Sequence, residues 1–140
     1  MDDLDVANHR GDVERIVATY INAQVEIVVD IAAWCAKHAG GKYAVTELDN
    51  PIGKALWHGA TEADRILLRR HIPARLIEDH LLALYFRGFE RVYELLKDSR
   101  TFLIHLVLHE VAHIKHDWRQ DQEAKCDEWA FSNVPKWLET

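Results

Sequence analysis

From Val13 onward the apolar positions fall at 13, 16, 17, 20, 21, 25, 28, 31, 32 and 35. That spacing is close to 3.6 residues, and it predicts one long amphipathic helix over Val13–His38, closed by Gly40-Gly41. Val25-Glu-Ile-Val-Val within it is locally β-prone, but the period favours helix. Such a face serves core packing or, in a functional reading, a dimer contact. Ahead of it, residues 1–12 are acidic and polar and predict a loosely held, flexible terminus. Lys42–Glu47 alternates and predicts a strand ending at the Asn50-Pro51 turn, with Lys54–His58 as a partner strand after Gly53. Thr61-Glu-Ala-Asp64 resembles a capping box opening a short helix through Arg70, and the competing reading is a strand over Arg65–His71. Pro73 suits the first turn of a helix running to about Lys97, with Gly88 tolerated inside it. Asp98 or Ser99 then caps one more helix.

That last helix is apolar on most sides, at positions 103, 104, 106, 107, 108, 111, 112 and 114, and therefore predicts a buried element. It nevertheless carries His109-Glu110-Val-Ala-His113, an H-E-x-x-H motif. Residues i and i+4 share a helix face, so both imidazoles can reach one metal ion. Glu110, rotated roughly 100° from His109, can reach a water beside that ion as a general base. Polar groups are costly to bury unpaired, and a metal would supply the partner. The plainer alternative is two core histidines satisfied by hydrogen bonds and a surface glutamate.

The third ligand sets the class. A metzincin-like site needs Gly three residues after the second histidine and His or Asp three further on, where this chain has His116 and Arg119. Downstream, Glu123 and Asp127 are spaced i, i+4 and share a face if Gln122–Ser132 is helical. Glu123 is then the expected third ligand, and Asp127 the group that accepts a hydrogen bond from a ligand histidine. His113 and Glu123 would lie about 15 Å apart along a continuous helix, so the chain must turn within His116–Gln122. No Gly or Pro stands there; Asp117 and Asp121 are the candidate caps.

His105 and His116 extend the histidine stripe. In a functional reading one of them, His116 first, donates to the tetrahedral oxyanion; in the plainer one both merely flank the polar side of the site. Cys126 reads as packing rather than as a thiolate ligand. Trp118, Trp129, Phe131 and Trp137 read as core or lid hydrophobes rather than a specificity pocket.

Composition narrows the setting. The chain of 140 residues is the size of one domain, 1–140. Its net charge is −6 and its largest basic cluster is Arg69-Arg70, which argues against a nucleic-acid partner. Two cysteines make no disulfide framework, and the Met-Asp-Asp-Leu-Asp start is unlike a signal peptide. No apolar run is long enough to span a membrane. The expected setting is cytoplasmic.

His109-Glu110-Val-Ala-His113, then Glu123-x-x-x-Asp127-x-Trp129-Ala130, then Val134-Pro135, resembles the ImmA/IrrE-type gluzincin metallopeptidases over residues 101–137. Cys126 stands where that pattern usually has Ala, the proline arrives about one residue early, and the His113–Glu123 linker is short. The resemblance implies an α+β, mostly helical, zincin-like fold, its long helices joined by a small two- to three-stranded sheet packed on the H-E-x-x-H helix. It also implies an edge strand that takes up the substrate backbone. The expected activity is zinc-dependent hydrolysis of a peptide or protein substrate. Zn²⁺ would be held by His109, His113 and Glu123, with Glu110 as base, His116 as a second catalytic group and Asp127 in support. The alternatives are a non-catalytic, zincin-like metal-binding or regulatory interaction domain, and a helical module with no metal.

Overall fold

Three consecutive residues, Ile66, Leu67 and Leu68, are fully buried, which a strand achieves when both faces of its sheet are covered. They lie in β4 (Asp64–Arg69), the middle strand of a three-stranded sheet. The computed structural model describes residues 1–38, 51–57 and 63–139. β4 runs parallel to β2 (Ala23–Val28) and antiparallel to β3 (Gly53–Leu56), with Val25 and Ala55 both opposite Ile66. Ile66 and Leu68 face the main core, while Leu67 joins a smaller cluster with Ile31, Cys35 and Leu56. A second sheet pairs β1 (Leu4–Asp5) with β5 (His71–Ile72), Leu4 opposite Ile72.

The helix predicted over Val13–His38 is instead a helix, a strand and a helix: α1 (Arg10–Tyr20), β2 and α2 (Ile31–Lys37). Ala23, Val25 and Ile27 alternate onto the main core, and β-branched residues pack well on such a pleated surface. The helical period seen there is a coincidence of that alternation with the apolar face of α2. Ile21 is extended at φ −143°, ψ 165° and ends α1, and the Asp30 carboxylate starts α2 by accepting from the Ala33 amide at 3.0 Å.

Residues 1–12 are not a loose terminus. Leu4 and Val6 are buried in the main core, and burying them offsets the cost of ordering the segment. The Asp3 carboxylate also accepts the Ala74 amide at 2.7 Å, at the start of α3 (Ala74–Phe86).

The helix expected through Arg70 is strand β4, because pairing on both edges and burial on both faces outweigh a local capping signal. Lys54–His58 is a strand over Gly53–Leu56, and the strand expected at Lys42–Glu47 lies outside the described residues. The helix from Pro73 stops at Phe86 rather than Lys97. Gly88, at φ +106°, turns the chain out of it, and a short α4 (Val92–Leu95) follows.

α5 (Ser99–Lys115) is the central helix, buried continuously from Thr101 to Leu108. Asp98 caps it, its Oδ1 accepting from the Thr101 amide and hydroxyl, both at 2.8 Å. α5 packs against α1, β3, β4 and α6 (Glu123–Asn133), and α7 (Pro135–Leu138) closes the described chain. The architecture is α+β, and no described helix is long and apolar enough to cross a membrane.

Candidate metal centre

α5 ends at Lys115, and the chain reverses through Asp117, which sits in the left-handed region at φ 53°. Aspartate tolerates that conformation without needing glycine. Trp118 then folds back onto α5: its amide donates to the His113 carbonyl at 3.0 Å, and its carbonyl accepts from His113 Nδ1 at 2.5 Å. A short 3₁₀ turn at Gln120–Gln122 leads into α6. Neither Asp117 nor Asp121 caps α6, whose N-cap is Gln122 with no side-chain bond.

This reversal brings α6 alongside α5. Asp127, buried, accepts from His109 Nδ1 at 2.6 Å. With both Nδ1 atoms donating, to Asp127 and to the Trp118 carbonyl, both Nε2 lone pairs are left for a metal. Glu123 meets them there, Oε2 at 2.7 Å from His109 Nε2 and Oε1 at 3.1 Å from His113 Nε2. One donor atom from each of His109, His113 and Glu123 lies within 4.8 Å of the others, a group able to hold a metal ion. Two imidazoles and a carboxylate are a common protein donor set for a metal ion.

The three side chains shift one another's ionisation strongly. Burial works against a charge on His109, but the hydrogen bonds to Asp127 and Glu123 and the charge of Glu110 carry its pKa well above the usual range. Burial also opposes His113, yet Cys126, Glu123 and Glu110 lift it to about 10. Burial alone would raise Glu123; bonding to the two histidines pulls it well below the ordinary carboxylate range instead. A metal ion held by His109, His113 and Glu123 would take the place of these protons as the counter-charge.

The group opens into a cavity of about 720 Å³, within the size range of small-molecule and peptide sites. Gly53, Lys54 and Ala55 of β3 form one wall, with Trp57 beyond. His80, Leu84 and Arg87 of α3 form another, and α5 supplies Phe102, Leu106 and Glu110. Five buried side-chain polar atoms among the described residues have no hydrogen-bond partner, and four belong to this cavity: Trp57 Nε1, His105 Nε2, Glu110 Oε2 and Asp127 Oδ2. Buried polar groups are normally paired, so this concentration sets the cavity apart from the rest of the described core.

Glu110 lies in that wall, buried, with burial pushing its pKa up against the opposing charges of His109 and His113. β3 approaches it closely. A Cβ on Gly53 would stand 3.0 Å from Leu106 Cδ1 and 3.2 Å from Glu110 Cγ. A glycine inside a strand signals such an approach, and that signal was present in the sequence.

His116 is not brought to the site. Continued helix would have placed it near the face of His109, but α5 has already ended. Its ring is exposed and stacks on Trp118 at 4.3 Å between centroids. His105 is buried beside Phe131, with Nε2 3.8 Å from Asp127 Oδ1, and is not one of the converging donors. Cys126 is buried next to His113, and its sulfur is not one of the converging donors. The Trp118 carbonyl, Gly53, His80, Arg87 and Trp57 are site residues that the sequence reading did not single out. Compared with known proteins, the chain matches no family model, no curated protein and no solved structure.

Proposed function

We propose that the chain is a zinc-dependent peptidase domain of zincin-like, ImmA/IrrE-like type. The observation that supports this reading is the meeting of His109 Nε2, His113 Nε2 and the Glu123 carboxylate at the mouth of a cavity that also holds Glu110. When bound, zinc supplies a Lewis acid for the scissile carbonyl and a water acidified toward neutral pH.

The chain's own residues do the rest. His109 and His113 are held in the right tautomer by Asp127 and the Trp118 carbonyl. Glu110 is unpartnered at Oε2 and has a pKa raised by burial, which suits a group that takes a proton from water and returns it to the leaving amine. β3 is an edge of its sheet among the described residues. Its backbone offers an extended substrate a strand to pair with, directly beside Glu110.

The test is Glu110→Gln against wild type, both zinc-loaded, on a peptide library. Cleavage should be lost while zinc remains bound. Undiminished cleavage by the variant would defeat the assignment, and zinc binding with no cleavage by wild type would favour the non-catalytic metal-binding alternative.

A further inference from the structure

Arg87 is not one of the metal donors, yet it lines the same cavity. It is the C-cap residue of α3, its amide bonded to the Ala83 and Leu84 carbonyls, and Gly88 turns the chain away directly after it. Its backbone is thereby fixed in the wall. Its side chain is 48% exposed, and its NH1 lies 3.6 Å from Asp127 Oδ2, beyond hydrogen-bond reach. Its Nε makes only a long contact, 3.4 Å, with the Ala83 carbonyl.

Arg87 is ion-paired with Asp127 at 3.6 Å, and its guanidinium, with five donors, is left with no carboxylate hydrogen bond among the described residues while lining the cavity. His80 and Leu84, at helical spacing before it, share the wall. Burial and the charge of Arg87 keep His80 neutral, so Arg87 is the standing positive charge at this end. Leu84 and Phe102 line the same cavity and add apolar surface to it. Across the cavity Lys54 adds a second cation from β3. Arg87 and Lys54 are thus two cations in a cavity that also holds the carboxylates Glu110, Glu123 and Asp127.

We propose that Arg87 recognises a carboxylate of the substrate, so that the site selects peptides presenting either a free C-terminus or an Asp or Glu side chain next to the apolar surface of Leu84 and Phe102. The inference rests on the peptidase reading of the same site. Arginine suits the task because its fork matches a carboxylate with two parallel hydrogen bonds.

The experiment compares matched peptides on the zinc-loaded full chain. One arm pairs free C-termini with C-terminal amides, and the other pairs Asp or Glu with Asn or Gln. Wild type, Arg87→Met and Arg87→Lys are measured, and the quantity read is the ratio of kcat/KM, acid over amide, within each protein. A general loss of fold or of metal affinity scales both members of a pair and leaves the ratio unchanged. Wild type should favour the acid at least about tenfold in one arm, chiefly through KM. The ratio should fall to about one in Arg87→Met and recover in part in Arg87→Lys, and the arm that shows it identifies the source of the carboxylate. Cleavage by wild type that ignores the carboxylate in both arms, or a preference that survives Arg87→Met, overturns the proposal and leaves the peptidase reading standing. No cleavage of any peptide by wild type with verified zinc content overturns both.

Discussion

His109 Nδ1 lies 2.6 Å from Asp127 Oδ1, a contact between α5 and α6 that sets the direction in which His109 presents its other nitrogen. Partners of this kind typically strengthen metal binding by about 10- to 100-fold. Asp127→Ala should therefore weaken zinc affinity by about that factor, measured by competition with a chelator, while the ligands themselves remain. An unchanged affinity would show that the carboxylate does not orient the imidazole.

The close approach of Gly53 to Glu110 makes a second prediction. A Cβ at Gly53 would press on Leu106 and Glu110 at 3.0 and 3.2 Å. Gly53→Val should displace Glu110 and lower kcat by about tenfold to a hundredfold, in proportion to how far the base moves. Zinc affinity should change little, because the atoms a Cβ at Gly53 would press on belong to Leu106 and Glu110, neither of them a metal donor. Equal turnover by Gly53→Val and wild type would contradict the placement.

His105 predicts a dependence of stability on pH. Burial lowers its pKa from 6.5 to about 4, with Asp127 opposing only in part. The unfolded chain then binds a proton that the folded chain refuses. Its contribution is therefore complete above about pH 6.5 and is lost as pH falls toward 4, by up to about 3 kcal/mol. In His105→Leu the unfolding free energy of the metal-free protein should depend less steeply on pH across that window, as read by urea titration. An unchanged slope would mean that some other group carries the effect.

The capping of α5 by Asp98 is a matter of stability alone. Its carboxylate satisfies both the Thr101 amide and hydroxyl at 2.8 Å. Asp98→Ala should lower the unfolding free energy by about 1 kcal/mol, measured by denaturant titration. Zinc stoichiometry should be unaffected.

The spacings that align the candidate site residues within α5 and within α6 were legible in the sequence. His109, Glu110 and His113 share a turn of α5, and Glu123 and Asp127 share a face of α6, so periodicity alone aligned them. Asp98 carried its capping chemistry in its side chain. β2 was hidden because Val25 satisfies both a two-residue alternation with Ala23 and Ile27 and a helical spacing toward Val28 and α2. The residues before it were misread for a related reason: Leu4 and Val6 are two apolar positions in an acidic stretch, too few to show a period but enough to anchor a strand. The reversal at Asp117 used an aspartate where a glycine would have announced the turn. The Trp118 carbonyl is a backbone atom, and no residue type signals it. Arg87 lies at the end of α3 that Gly88 sets, a local stop signal outweighed in the sequence by the apolar period that runs on past it.

The central claim is that His109, His113 and Glu123 hold one metal ion between α5 and α6. Its most direct test is zinc content by mass spectrometry, on protein purified without a metal-affinity tag, exposed to equimolar zinc and then freed of excess. The account predicts about one zinc ion per chain for wild type and a clear loss in Glu123→Ala. Wild-type protein that retains no zinc, or Glu123→Ala protein that retains as much as wild type, would contradict it.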